Sequence, residues 1–375
     1  MRPAIALGLL HAGLALGRAL GRSGVPVDGL VLHASDFGLS SRYLRRRGRA
    51  DGDDAVLRAL RGYAERPILF PERDQHVEVL ERRWDELRAL ADVPLPDELD
   101  VVRRLRRKEV LPSLAAAAGV PAPHTVHAHS EEAIRAADLQ PPFLVKPAEG
   151  QDFALTFGDK VVVAETAEDA VAAWSRAHDH GFDTIVQELI PGSHERVHSV
   201  FAYIGRGGEA LASVVGRKVR QGPLRFGTSA VFESRYDAEV EELGLRLLRS
   251  VGYRGFAHVE FAHDARDGQY KLLEVNTRLP VWAGLGMTRR FDMARLAYDD
   301  LCGLEPAPLG RQEDGLAWIY LGKDVYVSAQ MARRRELGPR GFLGPYVRRR
   351  KVRATWALDD PRPALSSLRY LASRA

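Results

Sequence analysis

Apolar residues gather in short runs separated by glycine, proline or charge, and the spacing within the runs changes along the chain. Residues 4–9 are almost continuously apolar, residues 14–22 repeat at helical spacing, and 27–32 is apolar again. A buried strand, a glycine-bearing turn over 8–13, a helix and a second strand open a doubly wound α/β unit. Ile68-Leu69-Phe70 reads as a further strand end and 75–90 as a helix, after which Val93-Pro94-Leu95-Pro96 sets a boundary near residue 100. Helical spacing then runs over 103–118 despite Pro112, stops at Gly119 and gives way to Val120-Pro121-Ala122-Pro123. Strands follow at 143–147, 161–164 and 184–190, with a helix at 167–177. Antiparallel strands are predicted at 197–204 and 210–215, a helix at 238–251, and a hairpin from 256–262 and 270–275. The fold class is mixed α/β and α+β, without an internal repeat.

Length and composition narrow the classes. A chain of 375 residues with 45% hydrophobic and 28% charged residues has the balance of a globular protein of two or three domains. Its net charge is only +4, and the basic clusters at 45–47, 103–108, 333–335 and 348–353 are scattered and interrupted by acids such as Asp51, Asp53 and Asp54. A solvated arginine-rich surface explains them better than nucleic acid binding. The N-terminal apolar stretch is broken by Gly8, His11, Gly13 and Arg18, so the expectation is mature protein and no membrane contact. Cys302 stands alone and suits a reducing, cytoplasmic setting.

The most informative segment is the hairpin. Strand alternation puts Glu274, Asn276 and Arg278 on one face, with Leu273 and Val275 on the other. Folding about Asp267 sets Glu260 opposite Glu274, where two carboxylates repel unless a cation lies between them. Two carboxylates and an amide oxygen are hard donors that suit Mg²⁺ shared with substrate phosphates. A solvated polar sheet face is the plainer alternative. His194-Glu195-Arg196-Val197-His198 matches H-E-x-x-H, but it runs into a predicted strand, where positions four apart lie about 13 Å from each other, too far to share one zinc ion. The glycines at 8, 13 and 17 likewise fail to make a G-x-G-x-x-G dinucleotide fingerprint.

With these residues in view, the chain resembles the ATP-grasp superfamily, in particular the carboxylate-amine ligases of its carbamoyl-phosphate-synthetase-like branch. The resemblance covers roughly residues 100–305 and rests on pieces in family order. These are Arg107-Lys108-Glu109, Leu144-Val145-Lys146-Pro147, Val186 to Gly192, Gly216-Arg217-Lys218 through Phe226-Gly227-Thr228, and the ending E-x-N-x-R. It departs from the pattern after Lys146, where 148–153 holds a single glycine.

The resemblance implies a pre-ATP-grasp α/β domain over 1–100, a small lid subdomain with its linker helix over 101–185 and a catalytic subdomain over 186–305; beyond it, the many large aromatics of 306–375 predict a C-terminal extension packed on the core. It implies ATP with Mg²⁺ or Mn²⁺ as cofactors. Lys108 and Lys146 are expected on the phosphates, Glu188 on the adenine amino group with Leu189 and Ile190 giving backbone contacts, and Glu195 on ribose. Glu260, Glu274 and Asn276 are the implied metal ligands. Lys218 and Arg278 are the implied catalytic residues, at the transferring phosphate and the reacting carboxylate. The reaction joins a small-molecule carboxylate to an amine through an acyl phosphate and releases ADP and phosphate; an amino acid or a derivative is the expected substrate, and a homodimer is left open. Two further readings stand beside it: a nucleotide-binding protein without catalysis, and a nicotinamide-dependent oxidoreductase built on the N-terminal unit.

Overall fold

A computed structural model describes residues 1–149, 152–193, 197–347 and 350–372. Gly150, Gln151, His194, Glu195 and Arg196 therefore lie outside the described residues, and with them the expected ribose contact of Glu195. Three sheets organise the chain. The first is parallel, with β1 (Ala4–Leu7), β2 (Val27–Val31), β3 (Leu44–Arg49) and β4 (Ile68–Pro71) in the order β3-β2-β1-β4. The second is antiparallel: β5 (Thr125–Ala128), β6 (Phe143–Pro147), β7 (Val162–Ala164) and β8 (Thr184–Glu188) lie in the order β5-β8-β6-β7.

The third and largest sheet holds β9 (Val197–Ile204), β10 (Ala210–Gly222), β11 (Thr228–Ser234), β12 (Gly255–Asp264), β13 (Gln269–Asn276), β14 (Ala317–Ile319) and β15 (Lys351–Arg353), in the order β13-β12-β9-β10-β11-β14-β15. Both of its faces are covered. Along β9, Val200, Ala202 and Ile204 enter one core with Leu247, Val259 and Phe261, whereas Phe201 and Tyr203 enter another with Phe232, Trp282 and Trp318. The second core also receives Leu16 and Leu20 from the helix His11–Arg22, so the N-terminal unit seats directly on the large sheet. Burial on both sides explains why β9 reads as a nearly unbroken apolar run.

The structure corrects several expected elements. The helix expected over 103–118 is two, Asp100–Arg106 and Leu111–Ala117, with Pro112 in the first turn of the second. Proline lacks the amide that an interior helical position must donate, so it starts a helix where it would break one. The helix expected over 75–90 divides at Arg83, whose φ of −125° is not helical, into Asp74–Arg82 and Trp84–Leu90. The indole of Trp84 then donates to the Asp97 carbonyl at 2.8 Å. The basic run at 348–353 contains the edge strand of the large sheet: β15 pairs in parallel with β14.

Two buried ion pairs fasten the last seventy residues. Asp324 lies in the helix Leu321–Arg333 and binds Arg220 of β10 through two contacts, 2.6 and 2.9 Å, while Tyr346 donates to the same carboxylate at 2.6 Å. Asp360 receives Arg18 at 2.9 Å, Ser41 at 2.7 Å and the Arg42 amide at 2.9 Å.

Candidate active site

The polar end of the large sheet is set by register. Glu260 of β12 stands opposite Glu274 of β13 and, on its other side, opposite Ser199 of β9; His258 stands opposite Asn276. The expected pairing of the two glutamates is therefore present, with a bulge immediately after it at Phe261. Glu274 accepts from the Asn276 amide at 3.0 Å. Burial alone raises the Glu274 pKa, but that hydrogen bond and the charges of Lys108 and Lys160 outweigh it and hold the carboxyl below the usual range. His258 is buried at 5.3 Å from Trp282 with edge-on geometry, and burial pushes its pKa down to about 4, so its ring is neutral near pH 7.

Lysines surround these carboxylates. Lys218 of β10 places Nζ 3.6 Å from Glu260 and donates to the Gly227 carbonyl at 3.2 Å. Lys146 of β6 donates to Gln187 Oε1 at 2.9 Å, and Gln187 in turn donates to Thr125. Burial, followed by the charge of Lys108, lowers Lys146 to about 8. Lys108 contacts the Ala148 carbonyl at 3.4 Å; burial lowers its pKa, against the pull of Glu274. The chain has seven lysines and 47 arginines. Five of the seven, Lys108, Lys146, Lys160, Lys218 and Lys323, are linked to one another or to Glu260 and Glu274 by their charges.

Arg278 reaches across to the N-terminal unit. Its guanidinium grips Asp74, the first residue of the helix Asp74–Arg82, at 2.9 and 2.8 Å, and also donates to Asn276 Oδ1 at 3.0 Å. The two aspartates that follow it in sequence are engaged elsewhere: Asp292 caps the helix Met293–Leu301 and Asp299 binds Arg295 at 2.8 Å. At the hinge, the Glu188 carboxylate accepts from the Gln140 amide at 2.9 Å and lies 3.6 Å from His124. The Leu189 amide donates to the Pro142 carbonyl at 2.9 Å, and the Ile190 carbonyl accepts from the Ser193 amide at 3.0 Å.

The N-terminal turn removes the nicotinamide reading. A dinucleotide pyrophosphate sits on the amides that open the first helix of such a fold. Here the Glu72 carboxylate occupies them, accepting from Leu10 at 2.8 Å and from Ala12 and Gly13 at 3.0 Å, while Asp36 accepts from Leu9 at 2.8 Å. This cap also extends the helix back to His11 from its expected start at Leu14. The turn is tight: a Cβ on Gly8, at φ +95°, would lie 2.2 Å from His76, and one on Gly13 would lie 2.0 Å from the Gly8 carbonyl. His198 of the H-E-x-x-H run sits on β9, as expected from its context.

Asp74, His258, Lys160 and Lys323 are site residues absent from the sequence-based set. Lys323 comes from the C-terminal segment and contacts Thr228; burial, then the charges of Lys160 and Lys218, lower it to about 8. Among the described residues no three His, Cys, Asp or Glu side chains are grouped to hold a metal ion unaided. Glu260, Glu274 and Asn276 fit a hard cation whose remaining ligands are phosphate oxygens.

Comparison with known proteins agrees with this geometry. Residues 219–288 match the family described as carbamoyl-phosphate synthase L chain, ATP binding domain. The chain is 24% identical over 205 residues to a D-aspartate ligase of Enterococcus faecium (strain Aus0004), a match that spans 52% of this chain and 49% of that one, about half the length of the relative. An N5-carboxyaminoimidazole ribonucleotide synthetase in complex with ADP superposes with a TM-score of 0.67 at 16% identity, covering 89% of this chain and 85% of the other. The L-amino acid ligase of Bacillus licheniformis superposes with a TM-score of 0.60 at 14% identity, over 80% and 74% of the two chains. The protein has the ATP-grasp fold.

Proposed function

We propose that the protein is an ATP-dependent carboxylate-amine ligase that forms an amide through an acyl phosphate. The observation that carries this reading is the pairing of Glu260 with Glu274 inside a ring of otherwise scarce lysines. Such a ring has few anionic partners in the chain itself and suits a triphosphate. Lys108 and Lys146 take the phosphates on the lid side, and Lys218 the transferring end. Glu260, Glu274 and Asn276 would hold Mg²⁺ or Mn²⁺, which would supply charge neutralisation to the triphosphate.

A substrate carboxylate oxygen attacks the γ-phosphorus, the bond to the β-bridging oxygen breaks, and ADP leaves. Arg278, whose fork is held by Asp74, then steadies the acyl phosphate by its fixed positive charge. The amine nitrogen attacks the acyl carbon, phosphate departs with the C–O bonding pair, and the amine gives up its proton. Electrostatic positioning by these side chains supplies the catalysis, and no protein nucleophile is needed. Glu188, Leu189 and Ile190 receive adenine. The names of the two amino acid ligases above support an amino acid as one substrate. Among the described residues no helix is long and apolar enough to cross a membrane, and we place the enzyme in the cytoplasm.

The test is acceptor-dependent ADP release across the D- and L-amino acids and small carboxylates, with hydroxylamine to trap the acyl phosphate as a hydroxamate. Pairs that release ADP, yield a hydroxamate and give an amide by mass spectrometry support the reading. Nucleotide binding with no substrate-dependent ADP release across the panel would favour the non-catalytic alternative.

A further inference from the structure

Away from the lysine ring, the C-terminal half of the helix His11–Arg22, the turn after Gly284 and the segment around β15 enclose a groove of about 600 Å³. It shares Thr288, Arg290 and Leu316 with a smaller recess of about 230 Å³. That is the size range of small-molecule sites. Its lining is of two kinds. Met287, Leu316, Trp318 and Ala354 are buried apolar residues that line the floor, and cations line the rim.

Several rim cations are already engaged. Arg18 binds Asp360, Arg22 binds Asp359, and Arg350 binds Glu313. Four others have no acidic partner among the described residues: Arg289 and Arg290, both exposed, Lys351, which donates to the Tyr346 carbonyl, and Arg353, whose guanidinium lies 4.8 Å from the Trp356 ring. Like charges facing one small concavity repel each other unless an anion joins them, and the neighbouring carboxylates are spent on other arginines.

We propose that this groove is a second ligand site, which binds a soluble organic phosphate whose apolar body covers the floor. A dianionic phosphate has enough acceptor oxygens for more than one guanidinium fork, and arginine is the side chain that offers such forks. Trp318 forms part of the floor, and its ring lies 5.8 Å from that of His11, which in turn lies 4.2 Å from Tyr320.

The test is calorimetric titration of the full chain with 1-naphthyl phosphate under saturating MgADP, with tryptophan fluorescence followed in parallel. The expected result is one site per chain, weakened at least tenfold in R289S/R290S and in R353S, whereas MgADP affinity stays unchanged in both. Quenching should be reduced in Trp356→Phe. Inorganic phosphate should bind at least tenfold more weakly than the naphthyl ester, and vesicles containing phosphatidic acid should not retain the protein. No binding under MgADP, equal binding by the arginine variants, equal affinity for bare phosphate, or retention only on the vesicles would each overturn the proposal.

Discussion

Arg278 and Asp74 are 204 positions apart in sequence, yet their side chains meet in a two-pronged ion pair at 2.9 and 2.8 Å. The same guanidinium donates to Asn276, so one arginine ties the N-terminal unit to the strand that carries two of the three proposed metal ligands. Arg278→Lys keeps the charge and loses the fork. The expected outcome is a folded protein that binds MgATP near-normally and forms amide at least a hundredfold more slowly. Wild-type turnover, or a variant that simply melts, would assign Arg278 to the ion pair alone.

Glu274→Gln and Asn276→Ala bear on the metal. Charge stabilisation by a bound cation is commonly worth several kcal/mol in phosphoryl transfer. Turnover should fall by about a hundredfold or more in each, with a rise in the Mg²⁺ concentration needed for half-maximal rate and little change in thermal midpoint. Unaltered Mg²⁺ dependence in both would remove the proposed site.

The buried Lys146 gives a pH signature. Its pKa in the folded chain is lowered to about 8 from an ordinary 10.5, so the folded state holds this proton less tightly than the unfolded chain. The sign follows: the penalty on stability is full below about pH 8 and is relieved as pH rises toward 10.5. A bound triphosphate reverses the preference by favouring the ammonium. Nucleotide binding at pH 8.5 should therefore take up protons, measured by calorimetry in buffers of different ionisation enthalpy. Lys146→Arg, charged throughout, should lose most of that uptake.

The Arg220–Asp324 pair makes the C-terminal segment part of the folded unit. Both side chains are almost fully buried, and removal of one partner from a buried pair costs about 3–5 kcal/mol. Asp324→Ala should lower the denaturation midpoint accordingly, and truncation after Gly303, which also strips β14 from β11, should yield insoluble or thermally weakened protein. A soluble truncation that melts like the full chain would show the segment to be dispensable.

The hairpin was legible because strand alternation and a short turn fix which residues face each other; Glu260 against Glu274 needs nothing beyond local geometry. Asp74 was not legible, since nothing local in a helix-opening aspartate announces an arginine 204 residues away. The Glu72 cap was hidden for the same reason: three amides of a glycine turn find their acceptor about sixty residues downstream. Lys323 and Lys160 did leave a signal. They are two of only seven lysines in a chain with 47 arginines, a scarcity they share with Lys146 and Lys218.

That scarcity also makes the protein its own chemical reporter. Only Lys271, clasped by Asp264 and Asp267, and Lys351 at the edge of the large sheet lie outside the ring. Amines with pKa values near 8 are partly unprotonated, and therefore nucleophilic, at neutral pH. A lysine-selective acylating reagent applied to the intact chain thus writes most of its label into one cleft, and loss of that label on adding nucleotide would read out occupancy directly, without a tag or a fluorophore.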